Sequence, residues 1–174
     1  MDEQTTVTVA KTGQETQGMK RVKTLEGKKF LTFLMANEKY GLEILKVREI
    51  IGIMDVTPVP TTPAFVRGVI NLRGKVIPVI ALRRCFGLED RPHDKQTRIV
   101  VGEVNGSVLG FIVDSVSEVL RIPVETIEPP PHLGKREREY VSGVGKLDDR
   151  LLILLDLDRL MSDAEKALVQ AAAH

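Results

Sequence analysis

The sequence predicts a mainly β protein built from two similar small barrels and closed by a C-terminal helix. Three observations lead to this fold class: short apolar stretches, turn signals between them, and an internal repeat. The apolar stretches with the length and composition of strands are Lys29–Met35, Val76–Ile80, Ile99–Val104, Val108–Val113 and Leu151–Leu155. Signals for helices are few.

Two tight hairpins are predicted between these stretches. Asn105-Gly106 separates two of them, and both residues accept the positive φ that a two-residue turn requires. Asn71-Leu72-Arg73-Gly74 predicts a second hairpin, between Val69 and Val76. The polar pair Asp148-Asp149 is interpreted as another hairpin tip.

Helices are predicted at only two places. Thr61-Thr62-Pro63 has the residue types that cap and start a helix, which predicts one turn over Ala64–Arg67. Ser162-Asp163-Ala164-Glu165 has the spacing of a capping box and precedes an Ala-rich segment. This second pattern predicts the C-terminal helix.

The internal repeat relates the two halves of the chain. Gly41-Leu42-Glu43-Ile44 aligns with Gly110-Phe111-Ile112-Val113, and, after six additional residues in the second copy, Val66-Arg67-Gly68-Val69 aligns with Val141-Ser142-Gly143-Val144. A β unit of about 60 residues is only marginally stable alone, so the copies are expected to pack together and share apolar surface.

The domain boundaries follow from this repeat and from composition. Residues 1–27 are rich in Thr, Gln, Lys and Gly, and we predict a disordered tail there. Residues 28–174 are expected to form one domain, with two interpacked barrel subdomains at about 28–90 and 97–162 and a C-terminal helix.

Composition excludes several classes of partner. The formal net charge is +1, and the aromatic residues are five Phe and two Tyr without Trp, so we expect no nucleic-acid binding. The longest apolar run, Leu151–Leu155, is too short to cross a bilayer, and the N-terminus lacks the pattern of a secretory signal. Cys85 is the single cysteine and cannot form an internal disulfide. We therefore expect a cytoplasmic protein without direct membrane insertion.

Catalytic and cofactor sites are not supported by the sequence. His93, His132 and His174 have no ligand spacing to one another or to Cys85, so no metal site is expected. Gly143-Val144-Gly145-Lys146 lacks the upstream Gly and the following Ser or Thr of a phosphate loop. No cofactor and no enzymatic activity are therefore expected.

A phosphoacceptor site is a weaker alternative. Asp156 and Asp158 follow the apolar run at its C-terminal end, as a phosphoacceptor carboxylate would. The receiver fold that carries such a site needs strands alternating with long helices, however, and the strands here are closely spaced.

A binding surface is the remaining interpretation. Closely spaced apolar residues lie beside dispersed positive charges: Val47, Ile50, Ile51 and Ile53 with Arg67, Arg73, Lys75, Arg83 and Arg84. Apolar anchors with Arg at the edge are typical of protein-recognition sites. The alternative, that each apolar residue belongs to the core, stays open.

Several segments together resemble the CheW family. They are Tyr40-Gly41-Leu42-Glu43-Ile44 with Val47-Arg48-Glu49-Ile50, Pro63 to Gly74 with Val76-Ile77-Pro78-Val79, Gly110 to Leu120, and Leu151 to Leu157. The resemblance covers about residues 29 to 162, and Asn71-Leu72-Arg73-Gly74 with its flanks is quite specific. Ala81 departs from the family, which usually has Asp after this strand.

The resemblance implies two five-stranded SH3-like β-barrels that share a core. It also implies an adaptor that binds the cytoplasmic tip of chemoreceptors and the regulatory domain of the histidine kinase CheA, and that is recruited to membrane-associated receptor arrays. The kinase domain is itself CheW-like, so matching barrel ends could associate, including those of other CheW molecules, in rings.

The resemblance further implies a receptor groove between the barrels. By analogy it is assigned to Val47, Glu49, Arg67, Arg73, Gly110 and Val119, with Glu49 as the partner of Arg73. A helix would pack into this groove with no covalent step. A regulatory adaptor for another output, such as pilus motility, and an enzyme both remain open alternatives.

Overall fold

A computed structural model describes residues 27–130 and 140–161 of the chain. Within these ranges the chain forms ten strands in two five-stranded sheets. The strands are β1 Lys28–Met35, β2 Glu38–Glu43, β3 Val47–Gly52, β4 Val66–Leu72, β5 Lys75–Ala81, β6 Arg98–Val104, β7 Ser107–Val113, β8 Ser115–Ile122, β9 Val141–Lys146 and β10 Leu151–Leu155. The helices are α1, Leu82–Cys85, and α2, residues 157–161, and short 3-10 turns occupy Ile44–Lys46 and Val124–Thr126. The predicted mainly β class is confirmed.

Each sheet forms one small barrel. Barrel I has the strand order β8-β1-β2-β10-β9, and barrel II has the order β3-β6-β7-β5-β4. Most neighbouring strands are antiparallel, but β2 pairs with β10, and β5 with β7, in parallel. Exchanging the two copies of the repeat converts one order into the other, because β1 to β5 correspond in sequence to β6 to β10. The repeat therefore describes a real symmetry of the fold.

The barrels do not coincide with the predicted subdomains at 28–90 and 97–162. Barrel I combines the β1–β2 hairpin of the first copy with β8, β9 and β10 of the second, and barrel II has the reverse composition. The mismatch arises because the chain crosses to the other sheet after β2 and again after β7. Each copy therefore completes its sheet only with strands of the other copy.

The two predicted hairpins are present. Asn105 and Gly106 have φ values of 50° and 83°, and Arg73 and Gly74 have values of 51° and 87°. The Gly74 amide also donates to the side-chain oxygen of Asn71 at 2.9 Å. Left-handed turns of this kind match the twist of the strands that they connect.

The turn predicted over Ala64–Arg67 is present only in its first half, where the Val66 amide donates to the Pro63 carbonyl at 3.0 Å, and it is not helical. β4 already begins at Val66, and Val69 forms two backbone hydrogen bonds with Thr57, at 2.8 and 2.9 Å. These tertiary bonds hold the segment extended and override the local capping signal. The sequence also gave no signal for α1, whose N-cap, Ala81, makes no side-chain hydrogen bond.

A short helix is described just before the position predicted for the C-terminal helix. Residues 157–161 are helical, and the Asp156 carboxylate accepts the Arg159 amide at 3.2 Å. Asp156 is thus the N-cap of α2, a role that competes with the phosphoacceptor interpretation. The predicted capping box Ser162-Asp163-Ala164-Glu165 lies outside the described residues, as does the predicted tail up to residue 26.

Three apolar clusters explain how the barrels hold together. Barrel II is filled by residues such as Ile77, Ile99 and Val101, and barrel I by residues such as Phe30 and Leu152. The largest cluster lies between the barrels and takes the alternate residues of the same strands: Leu31, Phe33, Val100, Phe111 and Leu155 are among its members. Each strand at the seam therefore faces its own barrel with one side and the shared core with the other.

Candidate functional site

The predicted ion pair between Glu49 and Arg73 is present in the structure. The Arg73 guanidinium donates a hydrogen bond to the Glu49 carboxylate. Glu49 lies in β3, and Arg73 lies at the tip of the hairpin between β4 and β5. The Arg73 side chain is 69% exposed, so this pair adds little stability and mainly fixes where the guanidinium points.

The apolar residues of β3 divide between surface and interior. Ile50 is exposed, whereas Ile51 packs in the interior of barrel II. Val47 is half-buried against the core between the barrels. The core interpretation therefore holds for Ile51 and partly for Val47, and the surface interpretation holds for Ile50.

Val119 and Gly110 occupy different surroundings from the Glu49–Arg73 pair. Val119 is exposed on β8 of barrel I, at the position that the repeat aligns with Ile50. Gly110 is buried in β7, and a Cβ there would lie 2.9 Å from a methyl group of Ile99. The structure therefore places Gly110 inside barrel II, where it allows β6 and β7 to pack closely.

Arg67 belongs to a separate set of ion pairs. Its guanidinium lies 3.5 Å from the Asp90 carboxylate, which also accepts hydrogen bonds from Arg84. The hydrogen bond from Arg84 holds the pKa of Asp90 below its usual value of 3.8. This cluster fastens the segment after α1 to the start of β4.

Sequence reasoning missed a mostly buried carboxylate at the crossover between β7 and β8. Asp114 accepts hydrogen bonds from Arg83 of α1 at 2.6 Å and from Arg91 at 3.2 Å. It also accepts the Ala36 amide, in the β1–β2 turn, at 3.0 Å. One carboxylate thus ties a helix of one barrel to a hairpin of the other. Asp114 stands within the segment that resembles the CheW family, but nothing local identifies its partners, which are distant in sequence.

A related arrangement occurs at the other crossover, between β2 and β3. Lys46 donates to the Asp158 carboxylate of α2 at 2.8 Å. Asp158 also accepts the Asn105 amide, in the β6–β7 turn, at 3.1 Å. The hydrogen bond to Asp158 raises the pKa of Lys46 above 10.5. Both crossovers are therefore fixed immediately before the strands β3 and β8, which carry Val47 and Val119.

The features still to be considered for a chemical role are Cys85 and any group of side chains that could bind a metal ion. Cys85 is half-buried against the core between the barrels. Among residues 27–130 and 140–161, no three His, Cys, Asp or Glu side chains are grouped so that they could hold a metal ion. In the same described residues, no helix is long and apolar enough to span a bilayer.

Comparison with known proteins agrees with this architecture. A family model described as a CheW-like domain matches residues 29–165. The chemotaxis protein CheW of Klebsiella aerogenes is 43% identical over 148 residues, which are 84% of this chain and 89% of that protein. The CheW of Helicobacter pylori is 36% identical over 144 residues, or 83% and 87% of the two chains.

A solved structure agrees as well. The crystal structure of the scaffolding protein TtCheW from Thermoanaerobacter tengcongensis is 42% identical in sequence and has a TM-score of 0.73. The alignment covers 78% of this chain and 93% of that one. The chain has two five-stranded barrels that exchange strands between the copies of the repeat, a family match over most of its length, and relatives above 30% identity. It therefore belongs to the CheW-like family.

Proposed function

We propose that this chain is a chemotaxis adaptor that couples chemoreceptors to the histidine kinase CheA and has no catalytic activity of its own. The family supports the adaptor role, since its members named above are chemotaxis proteins and one is a scaffolding protein. The observation that carries the proposal in this chain is the Glu49–Arg73 pair, which presents an oriented guanidinium at the end of barrel II.

The receptor tip binds at the groove between the barrels. Val47 and Val119 supply apolar contacts, and Arg67 and Arg73 supply positive charge at its edge. Gly110 contributes from the interior, because the close packing of β6 and β7 sets the shape of barrel II. A helical hairpin lies in this groove as a packing event, without a covalent step.

The kinase binds through its regulatory domain at a barrel end. That domain is CheW-like, so the ends of its barrels resemble those of this chain and can associate with them. The same association joins further copies of the chain in rings. Binding to receptors then recruits the chain to membrane-associated arrays from the cytoplasm.

Reconstitution with purified components tests the proposal. The chain is mixed with CheA and with the cytoplasmic fragment of a chemoreceptor, and phosphorylation of CheA and receptor binding are measured. Arg73→Glu is expected to weaken receptor binding at least about tenfold, while the free energy of unfolding changes by about 1 kcal/mol or less. Adding Glu49→Arg is expected to recover part of the binding, because it restores the pair with reversed charges.

A matched control makes the result specific. Lys95→Glu introduces the same charge change at an exposed position between the two copies and is expected to bind as the unchanged chain does. A chain that binds neither the receptor fragment nor CheA would contradict the proposal. So would turnover of ATP or acetyl phosphate that persists in pure protein and disappears with a point substitution.

A further inference from the structure

A cavity of about 260 Å³ opens at the end of barrel II, beside the Glu49–Arg73 pair. Its apolar lining consists of Leu72, Ile77, Val101 and Val108, and its polar lining consists of Arg48, Glu49, Arg73 and Lys75. The apolar residues are buried or half-buried and form the floor, whereas Arg48, Arg73 and Lys75 are exposed and form the rim. The cavity is thus apolar at depth and charged at its mouth.

The charges at this rim are not balanced. Arg73 pairs with Glu49, and Arg48 lies 2.5 Å from the Glu103 carboxylate. Lys75 forms no ion pair with the residues that the structure describes. A ligand that brings one carboxylate to the mouth would therefore meet a cation whose charge is not already neutralised.

The other barrel shows why the cavity exists. The repeat aligns Val108 with Lys39 and Glu49 with Glu118. Lys39 is only 14% exposed and lies 3.4 Å from the Glu118 carboxylate. Barrel I thus fills the equivalent place with its own long side chain, and it pairs that side chain with its own glutamate. In barrel II the shorter Val108 leaves the place open, and Glu49 pairs with Arg73 of the hairpin instead.

We propose that this cavity is a socket for one apolar side chain of a protein partner, next to an acidic residue of that partner that pairs with Lys75. The inference rests on the proposed function, because it takes the partner to be the receptor tip, which that function assigns to the adjoining Glu49–Arg73 pair. A free anion does not fit, since a charge on the apolar floor would lose its hydration without compensation. A side chain buried in a pocket and surrounded by polar contacts has instead the composition of a binding hot spot.

Filling the socket tests the proposal. Val108→Lys copies the arrangement of barrel I, because the new ammonium can pair with Glu49 as Lys39 pairs with Glu118. Val108→Met fills the same space without a charge. Ser107→Lys is the matched control, since it places the same charge on the neighbouring exposed residue, whose side chain points to the other face of the strand. Thermal unfolding of each variant verifies that it folds.

Two probes are used separately, the receptor cytoplasmic fragment and the regulatory domain of CheA, with affinities measured by calorimetry. Both Val108 variants are expected to lower the affinity for one probe, the receptor fragment, by about tenfold or more. Lys75→Glu is expected to lower the affinity for that same probe, and its effect should shrink at high salt. Ser107→Lys is expected to stay within about twofold of the unchanged chain, as changes at the rim of an interface usually do.

The outcomes separate the socket from the adaptor function. If the unchanged chain binds both probes and the folded Val108 variants bind the receptor fragment as tightly as it does, the socket is wrong and the adaptor function stands. Equal losses in Val108→Lys and Ser107→Lys, without a loss in Val108→Met, would also overturn the socket, because charge alone would explain them. An unchanged chain that binds neither probe overturns both proposals.

Discussion

The two crossovers between the barrels occupy equivalent places in the repeat, yet they carry opposite charges. At the β7–β8 crossover the acid is Asp114 and the base is Arg83, which comes from α1. At the β2–β3 crossover the base is Lys46 and the acid is Asp158, which comes from α2. In both cases the carboxylate accepts a backbone amide from the facing hairpin turn. The fold therefore requires a carboxylate at that turn and a cation beside it, but not a particular residue at a particular position.

The two crossovers also differ in burial. The Arg83 and Asp114 side chains are 20% and 12% exposed, whereas those of Lys46 and Asp158 are 41% and 33% exposed. Because water screens the second pair more, it should contribute less to stability. The two copies thus share their geometry but differ in how much their ion pairs contribute to stability. Substitutions at equivalent positions can measure this difference.

The largest difference between the copies is expected at the glycines of β4 and β9. Gly68 has a φ of 143°, and a Cβ there would lie 2.1 Å from the Thr57 carbonyl oxygen. The equivalent Gly143 has no positive φ in the strained range, and its Cβ would lie 2.8 Å from a methyl group of Ile127. Gly68→Ala is expected to cost about 4 kcal/mol or to abolish folding, because a backbone atom cannot give way. Gly143→Ala is expected to cost about 1 to 2 kcal/mol.

Denaturant unfolding of the two Ala variants measures this difference. Equal losses would show that the hairpin of β4 and β5 can move away from Thr57, contrary to the paired backbone hydrogen bonds that hold it there.

The crossover carboxylates are expected to differ next. Asp114→Asn leaves the mostly buried Arg83 without its charge partner, and we expect a loss of about 2 to 3 kcal/mol in the free energy of unfolding. Asp158→Asn affects a more exposed pair and is expected to cost about 1 kcal/mol or less. Urea titrations of both variants provide the comparison. Equal losses in the two variants would contradict the expectation that the more buried ion pair contributes more.

A smaller difference is expected where the helices begin. The repeat aligns Asp156, which caps α2, with Ala81, which has no capping side chain. Asp156→Ala is expected to lose about 1 kcal/mol, because the Arg159 amide loses its acceptor. Asp149→Ala, at an exposed hairpin tip, is the matched control and is expected to stay within about 0.5 kcal/mol of the unchanged chain. Indistinguishable unfolding curves for the two variants would mean that water replaces the cap.

The sequence was sufficient for features that neighbouring residues determine. The strands and the turns at Asn105-Gly106 and Arg73-Gly74 follow from alternation and positive φ. The Glu49–Arg73 pair was also predicted, through the resemblance to the CheW family. Periodicity does not tell which strand pairs with which, however, so the exchange of strands between the copies was missed.

Long-range contacts account for the other errors. The capping signal at Thr61-Thr62-Pro63 was overridden by backbone pairing with Thr57. Asp114 was not recognised, because Ala36, Arg83 and Arg91 reach it from three separate segments. Gly110 was assigned to the groove by resemblance, which carries no information about burial.

The smallest expected difference concerns pH and separates the two crossovers once more. The pKa of Lys46 is raised above 10.5 by its hydrogen bond to Asp158. A raised pKa in the folded state means that the pair's stabilisation is complete below pH 10.5 and is lost as the pH rises through the folded value. The free energy of unfolding should therefore fall as the pH rises above 10.5, in part because Lys46 loses its proton. Burial also raises the pKa of Tyr40, whose ionisation destabilises the fold in the same range.

Asp158→Asn removes the contribution of Lys46 and keeps that of Tyr40, so the free energy of unfolding of this variant should fall less steeply with pH than that of the unchanged chain. The difference is small, because Lys46 is well exposed to water. Parallel slopes in the two proteins would show that this ion pair does not stabilise the β2–β3 crossover.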